Sequence, residues 1–217
     1  MIVSIAGTTL TLLPERAVYW PEKATLFVAD THWGKAATLR AHSIPVPMGT
    51  TSDDLARLTA AIRKTQCRRL VLLGDALHAR KGRAAGTMNT VAEWRERHTD
   101  LEILLVRGNH DRGAGDPPAS FRIQCVNAPV IEPPFVFQHH PKPSPHGYAL
   151  AGHMHPAIRL RGKGMQRATL PCFWFTPETG TLPAFGSFCG AALIEPAPDD
   201  RVFVIAGDEI IATRCRA

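Results

Sequence analysis

The sequence predicts an α/β protein in which two sheets pack face to face with helices outside. Two observations predict it. The first half alternates strand-like apolar runs with helical patterns and reads βαβαβ, whereas beyond residue 120 short strands follow one another with few helices between. Ligand-type polar residues also recur at the ends of several of these strands. Strand ends lie on one edge of a sheet, where segments distant in sequence can meet.

In chain order, residues 9–13 and 17–20 read as short strands around Pro14-Glu15-Arg16, and Ala24 to Ala29 as a strand ending at Asp30. The loop Thr31-His32-Trp33-Gly34-Lys35 follows, with a short helix from Lys35 to Ala41 that ends before Pro45 and Pro47. Ser52, Asp53 and Asp54 have the character of a capped helix start, since acidic groups suit the positive end of the helix dipole. Leu55, Leu58 and Ile62 then share one helical face. Leu70 to Leu73 is the next strand, ending at Gly74-Asp75, and the basic, glycine-containing stretch 79–89 reads as an exposed loop. Thr90 and Glu93 have capping-box spacing and open a helix with Val91, Trp94 and His98 on one face. Strand 101–106 leads into Arg107-Gly108-Asn109-His110-Asp111. Beyond it, Phe121–Val126, Phe135–Phe137, Tyr148–Ala151, Ala157–Leu160, Ala191–Ile194 and Arg201–Ile205 read as strands, with a hairpin at Gly207-Asp208.

The chain has 217 residues, 45% hydrophobic and 20% charged, which suits one large domain over 1–217 with a substantial core. No apolar run approaches the roughly 20 residues that span a bilayer. The apolar start, Met1 to Leu13, lacks the basic flank of a signal peptide, so a cytoplasmic location is expected. Cys67, Cys125, Cys172, Cys189 and Cys215 form no CxxC pair and are odd in number, which points to free thiols rather than a disulfide framework or a thiolate zinc site. The formal net charge of +6 suits a polyanionic partner such as nucleic acid.

Five clusters carry the chemistry: Asp30-x-His32, Gly74-Asp75-x-x-His78, Gly108-Asn109-His110-Asp111, His139-His140-Pro141 and Gly152-His153-x-His155. Their side chains are carboxylates, imidazoles and one amide, without sulfur. That set selects Mn²⁺, Fe²⁺ or Zn²⁺, and a pair of such ions is typical of phosphoester hydrolysis. Each cluster alone has a bland reading as a turn or a surface histidine; all five in this order, each at a strand end, do not.

Over residues 24–156 these motifs resemble the calcineurin-like metallophosphoesterase superfamily. The resemblance implies a four-layer α/β/β/α sandwich of two mixed sheets with two divalent metal ions, preferably Mn²⁺, at the strand ends. Asp30, His32 and His155 would hold one ion. Asn109, His153 and one histidine of the 139–140 pair would hold the other, and Asp75 would bridge them. His110 would protonate the leaving oxygen, with Asp111 steering its imidazole. A His-x-Pro pattern favours His139 as the ligand, with His140 as the alternative. A narrower resemblance covers Ala29 to Lys35, Ile44-Pro45-Val46-Pro47, Leu73 to His78, Gly152 to Pro156, Leu182-Pro183-Ala184-Phe185-Gly186 and the strand pair ending at Tyr19-Trp20-Pro21. These look like the bacterial DNA ligase-associated, DNA-damage-response phosphoesterase family. That family implies a nuclease or phosphodiesterase acting on DNA, functionally linked to a DNA ligase, a helicase and an exonuclease. A small-molecule phosphatase or nucleotide phosphodiesterase, and a non-catalytic scaffold of the same fold, are the competing expectations.

His78 suits a place next to the metal ligands. Lys35, Arg80, Lys81, Arg83 and Arg112 lie on loops expected near the site, where cations could track a phosphate backbone, Arg112 being the candidate phosphate contact. Trp33 reads as a packed aromatic in preference to a base-stacking one, Trp94 as core, and Phe173-Trp174-Phe175 as sheet interior. His42, His98 and His146 carry no partner pattern.

Overall fold

The computed structural model describes residues 1–161 and 167–213; Cys215 lies outside them. The first sheet has seven strands in sequence order: β1 (Ile2–Ile5), β2 (Thr8–Leu13), β3 (Ala17–Trp20), β4 (Thr25–Val28), β5 (Arg69–Leu72), β6 (Glu102–Val106) and β7 (Ile123–Val126). Pairing is antiparallel from β1 to β4 and parallel from β4 to β7. The parallel strands read as unbroken apolar runs because both faces are buried. Leu26, Val28, Leu70, Leu72, Ile103 and Leu105 face the helices, and Phe27, Ala29, Val71, Leu73, Leu104 and Val106 face the other sheet.

The second sheet holds β8 (Val130–Glu132), β9 (Phe135–Phe137), β10 (Tyr148–Ala151), β11 (Pro156–Arg161), β12 (Arg167–Phe175), β13 (Thr179–Thr181), β14 (Ala192–Leu193), β15 (Arg201–Ala206) and β16 (Glu209–Thr213). Its order is β14-β11-β12-β13-β10-β9-β8, with the hairpin β15–β16 joined to β12. Phe135, Phe137, Leu150, Phe173, Phe175 and Phe203 point into the core between the sheets. There Trp20 meets Phe135 edge-on with ring centroids 5.1 Å apart, and Phe27 lies 5.0 Å from Phe137. Truncating one of these buried rings to alanine costs about 3–5 kcal/mol.

The described residues form four α-helices: α1 (Lys35–Ala41), α2 (Thr50–Thr65), α3 (Ala85–Glu96) and α4 (Asn109–Ala114). α2 packs through Leu55, Leu58 and Ala61 and α3 through Val91 and Trp94 against the first sheet. Two helix starts differ from the sequence reading. α2 begins at Thr50, because Gly49 takes the left-handed turn at φ +86° that starts it, and Asp54 turns inward instead of facing the first turn. α3 begins at Ala85, so Thr90 lies inside the helix and donates to the Gly86 carbonyl. All four helices precede residue 115. Over the outer face of the second sheet, the described residues place the segment 194–200: Ile194 packs with Cys172, Val202 and Val204, and Asp200 accepts the Trp174 indole N–H at 2.8 Å. No helix of the described residues is long and apolar enough to cross a membrane.

The two sheets are tied together at one edge. The segment Leu182–Gly186 donates from Leu182 N to the Ala151 carbonyl at the end of β10, and from Phe185 N and Gly186 N to the carbonyls of Ala29 and Asp30 beyond β4. Asp54, 5% exposed, holds the next turn by accepting from Ser187 N at 3.1 Å and from the Ser187 hydroxyl. It also accepts from Arg57 at 2.7 Å. All five motif clusters open onto this edge.

Candidate active site

Each cluster follows a strand end: Asp30 and His32 follow β4, Asp75 and His78 follow β5, Asn109 and His110 follow β6, His139 and His140 follow β9, and His153 and His155 follow β10. The first two loops run side by side, with His32 N donating to the Asp75 carbonyl at 2.9 Å and Trp33 N to the Ala76 carbonyl at 2.8 Å. Asp30 Oδ2 accepts from His153 N at 2.8 Å and so bonds the first sheet's loop to the second sheet's.

Around His139 Nε2, three lone-pair atoms converge: Asn109 Oδ1 at 2.9 Å, His153 Nδ1 at 3.1 Å and Asp75 Oδ2 at 3.4 Å. These four residues are the set expected for one ion. His139 Nδ1 donates to the Leu73 carbonyl at 3.0 Å, which leaves Nε2 as the ligating nitrogen. The structure therefore brings His139, 1% exposed, to this focus. The exposed His140 lies at its edge, with its ring 4.2 Å from that of His153.

The set expected for the other ion also assembles. Asp30, His32 and Asp75 present ligand atoms within 4.8 Å of one another. His155 Nε2 lies 3.6 Å from Asp30 Oδ1, and its Nδ1 donates to the Gly190 carbonyl at 3.0 Å. Asp75 Oδ2 faces His32 Nε2 at 3.9 Å as well as His139, as a bridging carboxylate must.

The donor chemistry fits divalent cations. Asp30 Oδ1 is buried and has no hydrogen-bond partner. Such an atom costs about 1–3 kcal/mol or more unless a positive charge satisfies it. Burial pushes the His32 pKa down to about 2 against the pull of Asp75, so its ring is neutral and ligand-ready. Burial by itself would raise the Asp75 pKa, but the hydrogen bond and charge of His139, together with the His110 amide, bring it down to about 2. Burial pushes the His139 pKa down, but the hydrogen bond and charge of Asp75, with the charge of Asp30, raise it on balance.

Strain is concentrated here. Asp30, His32, Asp75, His153 and His155 all adopt left-handed backbone, with φ from +45° to +69°. Each costs roughly 1–2 kcal/mol for a non-glycine residue and persists only where surrounding contacts enforce it. Close packing supplies that enforcement. A Cβ on Gly108 would sit 2.2 Å from Asp75 Oδ1, and one on Gly152 would sit 2.5 Å from Asp30 Oδ2. Each carboxylate is thus backed by a bare backbone. The glycines are visible in sequence; the five left-handed residues are not.

His110 is half-exposed at the mouth of the site. Its Nδ1 donates to the His78 carbonyl at 2.8 Å, which aims Nε2 toward Asp75 Oδ2, 3.9 Å away. The expected steering by Asp111 is corrected. Asp111 is buried, and its Oδ2 accepts from Asp75 N at 2.7 Å and Gly108 N at 2.8 Å, while Oδ1 accepts from Leu77 N at 3.2 Å. It braces the β5 and β6 loops against each other, and burial, partly offset by these amides, raises its pKa. His78 stacks on His110 with centroids 4.8 Å apart, and its Nδ1 lies 3.3 Å from His32 Nδ1.

The basic loops divide. Arg80 donates to the Gly113 carbonyl, Arg83 to the carbonyls of Ala114, Gly115 and Asp116, and Lys81 contacts His42 Nε2. These three secure α4 and α1. Among the described residues the side chains of Lys35 and Arg112 make no hydrogen bond or ion pair; Arg112 is exposed, and Lys35 lies close enough to lower the pKa values of His32 and His78. Trp33, 1% exposed, and Trp94 are core, and Phe173 and Phe175 lie between the sheets as expected, whereas Trp174, read with them as interior, is half-buried on the sheet's other face because alternate strand residues point to opposite sides.

No protein-family model and no curated protein matches the chain. Among solved structures it is similar to the Pseudomonas putida nuclease MPE, with 42% identity over 98% of this chain and 99% of that one and a TM-score of 0.88. The E. coli phosphoesterase Yfce matches at 14% identity over 88% of this chain and 99% of that one, TM-score 0.43. Protein AQ665 of Aquifex aeolicus matches at 15% identity over 65% and 82%, TM-score 0.41. With its motif order, its two-sheet sandwich and a relative 42% identical from end to end, the chain belongs to the calcineurin-like metallophosphoesterase family, alongside the Pseudomonas nuclease.

Proposed function

We propose that this protein is a two-metal phosphodiesterase that cleaves DNA, a single domain spanning 1–217 that works in the cytoplasm beside a DNA ligase, a helicase and an exonuclease. The observation that carries the reading is the near-complete match, 42% identical, to a nuclease, in a chain whose own donor atoms converge in two sets. The repair setting rests on the motif resemblance from Ala29 through Gly186.

Asp30, His32 and His155 would hold one divalent ion, Asn109, His139 and His153 the other, and Asp75 both, with Mn²⁺ preferred for this oxygen- and nitrogen-rich set. When bound, the pair supplies a nucleophile from water at neutral pH and offsets the charge that builds on the phosphoryl oxygens. The protein's own part is positional and protic. With Nδ1 committed to the His78 carbonyl, His110 carries its transferable proton on Nε2. Delivering that proton to the departing oxygen leaves the neutral Nδ1–H tautomer already hydrogen-bonded. Lys35 and Arg112 offer charges that no group among the described residues pairs with, suited to the phosphates on either side of the scissile one.

The test compares Mn²⁺-dependent hydrolysis of single-stranded DNA, double-stranded DNA, a chromogenic diester and a chromogenic monoester. Cleavage of DNA and the diester is expected. Activity confined to the monoester would overturn the nuclease reading, and inactivity of the wild type equal to that of His110→Ala with every metal would favour a scaffold.

A further inference from the structure

The segment that ties the two sheets together also delivers a sulfur to the site. Cys189 follows the Gly186 turn, and its ligand atom lies with those of His32 and His155 within 4.8 Å of one another. Three features fix it there. The Cys189 thiol donates to the Asp30 carbonyl at 3.7 Å, and its amide lies 3.4 Å from the Gly186 carbonyl. The neighbouring Gly190 carbonyl accepts from His155 Nδ1, so adjacent residues orient the imidazole and carry the thiol. Asp54 and Arg57 anchor Ser187 and Phe185 just upstream. Beside them, Asp30 Oδ1 is buried and has no hydrogen-bond partner, 3.6 Å from His155 Nε2.

We propose that His32, His155 and Cys189 form a second, sulfur-containing seat for a soft divalent ion such as Zn²⁺ or Cd²⁺. Two imidazoles and one thiolate are three ligands of a kind zinc takes, with its fourth position left to solvent, whereas Mn²⁺ favours the all-oxygen-and-nitrogen set that includes Asp75. Both arrangements draw on His32 and His155, so they exclude one another. A soft ion seated on Cys189 withdraws those ligands from the two-ion arrangement and acts as a brake on hydrolysis, releasing the thiol proton to solvent as it binds. The inference rests on the two-metal reading only in taking His32 and His155 as ligands.

The test uses the full chain freed of metal by chelation. Titration with Co²⁺ is expected to produce a thiolate-to-metal charge-transfer band in the near ultraviolet that is missing in Cys189→Ser and in Cys189→Ala. Competition against a chromophoric chelator is expected to show Zn²⁺ affinity falling about 10–100-fold in both variants, as for other ligand-shell losses, with Mn²⁺ affinity little changed. A Co²⁺ spectrum without the band, or equal losses for Zn²⁺ and Mn²⁺, overturns the proposal. Thermal melts of the variants exclude simple unfolding. The band is read without substrate, so failure of the DNA-cleavage reading leaves this result standing, and the reverse holds too.

Discussion

The His78 carbonyl receives the Nδ1 proton of His110 at 2.8 Å, while the imidazole of His78 stacks on the same ring. One residue therefore fixes both the tautomer and the tilt of the proposed acid. Replacing His110 with alanine removes a proton donor and leaves the converging donor atoms in place. Turnover is expected to fall about 10²–10⁴-fold with metal content, read by elemental analysis, nearly intact. Asn109→Ala should instead weaken one of the two ions. Loss of bound metal in His110→Ala would refute this division of labour.

Metal removal should be visible as stability. A buried, unpartnered carboxylate oxygen at Asp30 and five left-handed residues are costs that bound cations offset. Chelation is expected to lower the melting temperature, and Mn²⁺ at about 100 times its dissociation constant to restore roughly 2.7 kcal/mol per site. Asp30→Ala should abolish most of that metal-dependent increment.

Gly108 and Gly152 test whether the carboxylates need bare backbone behind them. An added methyl would fall within 2.2 Å of Asp75 Oδ1 or 2.5 Å of Asp30 Oδ2. Gly108→Ala and Gly152→Ala are each expected to cost about 1–3 kcal/mol by overpacking and to reduce Mn²⁺ affinity, measured by melting and by metal titration. A variant that lost stability but kept full affinity would show that the carboxylates tolerate displacement.

Arg107 and Asp116 give a pH prediction away from the metals. The bidentate pair, with both contacts 2.7 Å, lowers the Asp116 pKa, chiefly through the hydrogen bonds from Arg107. A folded-state pKa below the unfolded value means that the contribution is present above roughly pH 4 and is lost as pH falls through the folded pKa. The pair is largely solvent-exposed, so Asp116→Asn should cost less than about 1 kcal/mol at neutral pH. The difference between variant and wild type should vanish in acid denaturation curves.

Asp54 links α2 to the Ser187 turn. Asp54→Ala strands the Ser187 amide and the Arg57 guanidinium and should cost about 1–3 kcal/mol. Because that turn carries Cys189, the same variant should lose Zn²⁺ affinity without touching a ligand.

The ligand clusters were legible because each pairs a metal-binding side chain with a strand end, a pattern with few other uses. Strands buried on both faces, such as β5 and β6, announced themselves as apolar runs. What escaped has physical reasons. The start of α3 hid behind Gly86 and a basic stretch that resembles a loop, and α2 began at a left-handed glycine where a side-chain cap at Ser52 was expected. Asp111 sits beside His110 in sequence, yet it serves backbone amides of the loop after β5 as well as Gly108 of its own loop, which no local pattern encodes. β8 and β13, three residues each, are too short for a periodicity. Cys189 carries no motif spacing to its partners, since His155 lies 34 positions earlier and the two meet only through the fold.

The pairing of Leu182–Gly186 with the end of β4 has a consequence for the order in which a new chain becomes active. A ribosome that has released only the first 180 residues has already produced Asp30, Asp75, Asn109 and all the motif histidines. The strap that closes the edge and orients His155 through Gly190 is still inside the exit tunnel. The strap is therefore added only after every proposed ligand of the two-ion site has been made, and a fragment cut short before Leu182 would carry those residues without the frame that aligns them.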